Sequence, residues 1–278
     1  MTVFESRETL ADTLHLHRAK HMSIGFVPTM GALHAGHISL VSRCREDNEV
    51  VVVSIFVNPA QFNDKNDLAR YPRMLEADSE KLQAAGCDFL FAPAVEEMYP
   101  EEDRRQFDFG MLDKVMEGVY RPGHFNGVAQ IVSKLFDTVQ PQRAYFGEKD
   151  FQQLAVIRRM VKMLHYPVEI VGCPIVREAD GLAMSSRNAR LTVEQLKQAP
   201  VIADTLFQSR RKIAHTPLDE LKRWVKDRIN NTGGLEVEYF EIVDRETLQP
   251  AAGYRENELQ GCIAVHAGDV RLIDNVTY

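Results

Sequence analysis

Pro28-Thr29-Met30-Gly31-Ala32-Leu33-His34-Ala35-Gly36-His37 is the stretch that decides how this chain folds. The apolar run before it, Ile24-Gly25-Phe26-Val27, reads as a buried β-strand, and Ile38-Ser39-Leu40-Val41 after it reads as the start of a helix. A strand, a tight glycine-bearing turn with two histidines, and a helix N-terminus together make a place to hold an anion. The first backbone N–H groups of a helix have no partner inside it, and the dipole there favours negative charge. His34 and His37 are three residues apart, so both imidazoles can face one cavity and donate to phosphate oxygens. Gly36 lets a nucleotide lie against the backbone. The same residues are also compatible with a surface turn that happens to contain two histidines.

Outward from this turn the pattern alternates. Val50 to Val57 is almost continuously apolar and β-branched, as in a strand covered on both faces of a parallel sheet. Leu75 to Ala85 reads as a helix ending at Gly86, and Asp88 to Ala92 as a strand closed by Pro93. Upstream, Glu8 to His21 places Leu10, Leu14 and Ala19 on one helical face. Downstream, Pro100 to Gln106 reads as a surface loop. Gly127–Val139 then reads as a helix, Arg143–Phe146 as a strand, Phe151–Leu164 as a helix and Val168–Cys173 as a strand. Strands alternating with helices predict an α/β fold, a doubly wound parallel sheet with right-handed crossovers. After Pro174 the character changes. Polar helices near Thr192–Arg211 and Leu218–Asn230 precede alternating strands at Val237–Val243, Cys262–Ala267 and Val270–Asp274. The expected division is residues 1–175 as one domain and residues 176–278 as a smaller α+β domain.

Composition narrows the function classes. The 278 residues are 45% hydrophobic and 26% charged, ordinary for a chain with a real core, and the net charge of −7 leaves no nucleic-acid footprint. An anionic ligand must therefore be held by local groups. Cys44, Cys87, Cys173 and Cys262 lie far apart with no CxxC pair, which reads as reduced core cysteines of a cytoplasmic protein. The N-terminus has no signal pattern, and the longest apolar run is too short to span a bilayer. No HExxH, paired CxxC or EF-hand loop marks a metal cage. His15, His17 and His21 read as solvated; His165, His215 and His266 show no partner pattern; Trp224 reads as partial core.

Three further stretches carry polar chemistry at strand ends or loops. Asn58-Pro59-Ala60-Gln61-Phe62 follows the most buried strand, and its two amides can bond a hydroxyl or carboxylate beyond the strand end. An Asn-Pro turn with solvated amides fits equally. Gly147-Glu148-Lys149-Asp150 follows a strand and opens a helix. Lys149 can face phosphates there, and Asp150 can cap the helix or help hold a nucleotide or Mg²⁺. Met184-Ser185-Ser186-Arg187 offers hydroxyls and a guanidinium to phosphate, or else belongs to a polar interdomain linker. A further loop, Arg121-Pro122-Gly123-His124-Phe125-Asn126-Gly127, is rich in glycine and in cationic or polar groups.

Taken in order, these blocks resemble the pantothenate synthetase (pantoate–β-alanine ligase) family, within a superfamily of HxGH nucleotidyltransferase-like proteins. Phe56–Phe62, Tyr71-Pro72-Arg73, Met98-Tyr99-Pro100, Arg121–Phe125, Gly147–Asp150 and Arg177–Asn188 all carry the likeness, which runs from about residue 24 to 191. The resemblance implies a Rossmann-like first domain with a smaller second domain closing over the site, and a homodimer. It implies ATP-dependent activation of pantoate to pantoyl adenylate, with Mg²⁺ accompanying ATP, and then attack by β-alanine to give pantothenate, AMP and pyrophosphate. Residue by residue, it places Met30, Gly31, Ala32, Leu33, His34, Ala35, Gly36, His37, Gly147, Glu148, Lys149, Asp150, Val176, Met184, Ser185, Ser186 and Arg187 around the nucleotide. His37, His34 and Lys149 are the expected catalytic groups. Gln61, Gln153, Asn58 and Gln130 are the expected pantoate and β-alanine contacts; at Gln130 the family often has threonine. The sequence alone leaves open a nucleotidyltransferase acting on a phosphorylated acceptor, and a nucleotide-sensing module without turnover.

Overall fold

The computed structural model describes residues 1–278, which divide into two compact units. The first comprises Met1–Phe109, Arg121–Glu148 and Gln153–Pro174. The second comprises Gly110–Tyr120, Lys149–Gln152 and Ile175–Tyr278. The long segment of the second unit starts at Ile175, and two earlier segments group with it. Gln152 shows the cause. Its Nε2 donates to the carbonyls of Leu112 (2.7 Å) and Val115 (2.9 Å), and its Oε1 accepts from Glu117 N–H (3.0 Å). Glu117 is in turn paired with Arg271 at 2.6 Å. Side-chain ties of this kind leave no mark in local composition.

The first unit runs β1 (Thr2–Phe4), α1 (Arg7–Ala19), β2 (Ile24–Thr29), α2 (Ala35–Asp47), β3 (Val50–Ile55), α3 (Lys65–Arg70), α4 (Leu75–Ala84), β4 (Phe89–Phe91), α5 (His124–Val139), β5 (Arg143–Gly147), α6 (Phe151–Met163) and β6 (Glu169–Cys173). The first two residues of α6 group with the second unit. The strands form one sheet in the order β1-β4-β3-β2-β5-β6, and every neighbouring pair is parallel. This is the doubly wound α/β architecture expected from the alternation. Strand β1 carries no sequence signal, because three residues beside β4 are too few to show a period.

Connectivity places the functional edge. From β2 the chain moves outward through β3 and β4, then returns to the other side of β2 with β5 and β6. The reversal lies between β2 and β5, and ligands of such sheets bind beyond the carboxyl ends of the strands at that point. Strand β2 ends in the Pro28–His37 turn, and β5 ends at Gly147.

The sheet is packed dry. Val50 to Val53 are almost wholly buried, as are Ile24, Phe26 and Val27 of β2 and Leu90 and Phe91 of β4. Each such side chain contributes roughly 1.5–3 kcal/mol on burial. In α1, Leu10 and Leu14 are buried as the periodicity predicts, but Ala19 is exposed because the helix ends there.

In the second unit β7 (Leu235–Asp244), β8 (Leu259–Ala267) and β9 (Val270–Thr277) form an antiparallel sheet. Helices α7 (Val193–Gln198), α8 (Val201–Lys212) and α9 (Leu218–Asn230) share its core, with Ile202, Leu206, Leu221, Val225 and Ile229 clustered with Phe240 and Ile263. The single helix expected over Thr192–Arg211 is two, broken at Ala199-Pro200, since proline has no N–H to continue the ladder. Strand β8 does not alternate; Leu259 through Val265 are all buried. His266 also has a partner, its Nε2 lying 3.1 Å from Glu238 Oε1. All four cysteines are buried and unpaired, and no helix is long and apolar enough to cross a membrane.

Leu90, wholly buried in β4, gives the check on this packing. Leu90→Ala should lower the free energy of urea unfolding by about 2–5 kcal/mol. A loss below about 1 kcal/mol would show that this face of the sheet is not closed.

Candidate active site

The Pro28–His37 turn has a shape its own backbone resists. Gly31 and Ala32 are consecutive left-handed residues, at φ +80° and +51°. At Gly31 the requirement is double: a Cβ would also lie 3.0 Å from Ile55 Cγ2 and 3.2 Å from Asp78 Oδ2. Ala32 has a Cβ, and the left-handed conformation costs such a residue roughly 1–2 kcal/mol. Asp78, in the first turn of α4 and wholly buried, offsets that cost. Its Oδ2 accepts from Ala32 N–H and its Oδ1 from Leu33 N–H, each at 2.7 Å. Hydrogen bonds to a charged group contribute about 1.5–3 kcal/mol each, so the pair outweighs the strain. Lys81, one turn along α4, donates to the Leu33 carbonyl at 2.7 Å. Thr29 Oγ1 donates to the Ser54 carbonyl (2.7 Å) and accepts from Gly31 N–H (3.2 Å), tying the turn back to β3.

The histidines are held by a reciprocal cap at the start of α2. His34 Nδ1 accepts from Gly36 N–H at 3.1 Å, and His37 Nδ1 accepts from His34 N–H at 3.3 Å. A nitrogen that accepts a hydrogen bond carries no proton, so each ring bears its hydrogen on Nε2. The ring centroids are 4.1 Å apart. The turn thus sets two imidazole rings side by side at a helix N-terminus, each with Nδ1 accepting from a backbone N–H.

The amides after β3 divide by role. Asn58 is almost wholly buried. Its Oδ1 accepts from Tyr99 Oη–H (2.8 Å) and Ala60 N–H (3.3 Å), and its Nδ2 donates to the Gly127 carbonyl (3.0 Å) and to Gln61 Oε1 (3.3 Å). Its hydrogen-bonding capacity is spent inside the protein. Gly127 is needed there, since a Cβ on it would run into the Ala60 carbonyl. Gln61 Nε2 donates to Met30 Sδ at 2.9 Å, which brings this amide against the turn. The Gln61 carbonyl accepts from His124 Nδ1–H at 2.8 Å. Gln130 lies on the same helix as Gly127, but its Nε2 donates to the carbonyls of Asp103 (2.8 Å) and Arg105 (2.9 Å), so it anchors that loop. Gln153 is half-buried near the start of α6.

The second unit holds the remaining candidates. Lys149 Nζ lies 3.6 Å from Asp150 Oδ2, and the Lys149 carbonyl accepts from Asn275 Nδ2 at 2.9 Å. Ser185 Oγ caps the short turn Ser186–Arg190 by accepting from Arg187 N–H at 3.2 Å; a hydroxyl that accepts can still donate. Met184 N–H donates to the Val176 carbonyl at 3.0 Å. Arg177, next to Val176, makes a bidentate pair with Asp274 at 2.7 and 2.9 Å. Burial pushes the Asp274 carboxyl up, against the pull of Arg177. Asp274 and Asn275 of β9 therefore anchor both nucleotide-candidate segments of this unit. No group of three or more histidine, cysteine, aspartate or glutamate side chains forms a metal cage.

Sequence reasoning gave no role to Asp78, nor to Thr29 within the turn or Tyr99 within the Met98-Tyr99-Pro100 block. Asp78 reads as an ordinary acidic residue in a first helical turn, like Glu76 beside it. Only the closing of the chain onto the turn reveals it.

Two measurements follow from this geometry. Asp78→Asn turns one acceptor into a donor facing a backbone N–H, and should lower kcat/KM by at least about tenfold, since an opposed buried donor costs about 1–3 kcal/mol. Unchanged kcat/KM would release the turn from Asp78. The second concerns Asp103, whose carboxyl the Arg105 guanidinium hydrogen-bonds and holds down at about 2, from 3.8. A depressed carboxyl stabilises the fold above its unfolded pKa and loses that contribution as pH falls through its folded value. The stability gap between wild type and Asp103→Asn should be constant above pH ~5 and close near pH ~2. A gap independent of pH would contradict the pairing.

Comparison with known proteins bears on this geometry. A family model described as Pantoate-beta-alanine ligase matches residues 2–277. A pantothenate synthetase of Bacteroides fragilis (strain YCH46) is 58% identical over 279 residues, covering 100% of this chain and 99% of that one. Among solved structures, pantothenate synthetase from Thermus thermophilus superposes with a TM-score of 0.93 at 47% identity, covering 100% of this chain and 99% of that one. A pantoate-beta-alanine ligase from Francisella tularensis, solved with beta-gamma ATP and beta-alanine, superposes with a TM-score of 0.84 at 34% identity, covering 100% and 97%.

Proposed function

The chain belongs to the pantoate-beta-alanine ligase family, and from that premise we propose how its residues carry out the reaction. The activity is ATP-dependent ligation of pantoate with β-alanine. In the proposed course a pantoate carboxylate oxygen attacks the α-phosphorus of ATP, and the bond to pyrophosphate breaks. The β-alanine amine then attacks the acyl carbon of pantoyl adenylate. The bond to AMP breaks, the amine proton passes to solvent, and pantothenate is released. No covalent protein nucleophile is needed; positioning and stabilisation of charge growing on phosphate oxygens are what such a transfer requires.

The observation that carries this reading is the Asp78-pinned turn. It sets the Nε2–H groups of His34 and His37 at a helix N-terminus, with the Gln61 amide against Met30. We assign the two histidines to phosphate oxygens, with His37 acting as a neutral hydrogen-bond donor in the transition state. Met30 to Gly36 line the nucleotide. Gln61 and Gln153 take pantoate oxygens; Asn58 and Gln130 serve by positioning. Lys149 meets phosphate, Asp150 the ribose, Val176 the adenine, and Met184 to Arg187 the triphosphate, with Gly147 and Glu148 at the strand end. Mg²⁺ accompanying ATP would neutralise charge on the phosphates. A homodimer and a cytoplasmic setting complete the proposal; buried unpaired cysteines support the latter.

A substrate-omission assay tests it. Pyrophosphate should appear only with ATP, Mg²⁺ and pantoate together, and AMP release should then depend on β-alanine. Pyrophosphate released with a phosphorylated acceptor in place of pantoate would contradict the reading. Lys149→Ala should lose at least about 2 kcal/mol of transition-state stabilisation; kcat/KM near wild type would remove Lys149 from the phosphates.

A further inference from the structure

We infer that Tyr99 is a positioning residue that steadies the Asn58 amide, and through it the Gln61 amide whose donor end meets the substrate acid. The inference rests on the ligase reading above and concerns its pantoate pocket. Amides are nearly symmetric in shape, so an amide in a pocket presents either a donor or an acceptor depending on what holds its other end. Here the hold is a relay. Asn58 Oδ1 accepts two hydrogen bonds, from Tyr99 Oη–H at 2.8 Å and Ala60 N–H at 3.3 Å. Its Nδ2 faces the Gly127 carbonyl at 3.0 Å, which can only accept. Rotating the Asn58 amide by half a turn would set its NH₂ group against the Ala60 N–H and its oxygen against the Gly127 carbonyl.

With Asn58 fixed, its Nδ2 donates to Gln61 Oε1 at 3.3 Å. That uses the acceptor end of Gln61 and leaves Nε2 as the end beside Met30, at 2.9 Å. A hydroxy acid offers carboxylate and hydroxyl oxygens, which accept from N–H; a carbonyl oxygen in the same place would repel the carboxylate. The chain Tyr99–Asn58–Gln61 thus makes the pocket a donor for an oxyanion.

Tyr99 suits the role. It is half-buried, Lys134 Nζ lies 5.3 Å from its ring centroid, and its ring centroid is 6.3 Å from that of Phe56. Burial pushes its hydroxyl above the usual tyrosine range, so it keeps its proton. Of the two bonds to Asn58 Oδ1 it makes the shorter.

Tyr99→Phe removes the hydroxyl and keeps the ring. In pyrophosphate-release kinetics the pantoate KM should rise about tenfold while the ATP KM stays within about twofold, because only the amide's donor end is disturbed. In a Gln61→Ala background the same change should add less than about twofold, since a relay ending at Gln61 has nothing left to orient. A pantoate KM within about twofold of wild type, equal rises in both KM values, or full additivity with Gln61→Ala would each overturn the inference. Those results leave the ligase reading standing. Wild-type enzyme that releases no pyrophosphate with pantoate would overturn the ligase reading, and this inference with it.

Discussion

Asp78 accepts from the successive backbone N–H groups of Ala32 and Leu33 at 2.7 Å each, and through them it holds a turn that would otherwise relax. A carboxylate buried this deeply is costly unless its oxygens are occupied. Two backbone donors and Lys81, 4.0 Å away, supply that compensation. The exchange works in both directions. The turn gives the carboxylate partners, and the carboxylate lets Ala32 remain left-handed, so that His34 arrives at the helix start in capping geometry. The parallel sheet supplies the base, since β2 enters the turn from a dry core and α4 returns Asp78 to it.

From that constraint comes the polarity of the site. The His34 and His37 rings accept at Nδ1 and so carry hydrogen on Nε2, and Gln61 is held with its nitrogen toward Met30. Beside the charged residues Asp78 and Lys81 that hold the turn, the groups it gathers are imidazole and amide. In the proposed assignment, a chain of net charge −7 thereby gains a local place for anions. Fixed dipoles need no reorganisation as charge grows on a phosphate, which is where they are worth most. In the proposed assignment, positive charge comes from Lys149 and Arg187, on segments anchored by Asn275 and by the Ser185 cap.

The fold class was legible because its signals are local: the Val50–Val57 run, the helix that stops at Gly86, and the turn after β2. The antiparallel second sheet was legible too, though β8 is buried on both faces and hides its alternation. For the candidate site, contiguous motifs let the sequence name candidate residues. The site was not legible where a residue acts from another element. Asp78 lies 46 residues from Ala32 in sequence and Tyr99 41 from Asn58; nothing around Asp78 marks it, and the block around Tyr99 does not say what its hydroxyl holds. Asn58 shows the converse: its residue type suggested a substrate contact, but four internal hydrogen bonds make it a strut. The two short early segments of the second unit were not legible for the same reason, because Gln152 and Glu117 join distant segments through side chains.

The central claim is that the turn is already formed before nucleotide arrives. Amide hydrogen exchange at Ala32 and Leu33 in the nucleotide-free protein measures this most directly. The account predicts strong protection of both amides, lost in Asp78→Asn and little changed in wild type when ATP is added. Rapid exchange in the free protein, with protection appearing only on ATP binding, would contradict it.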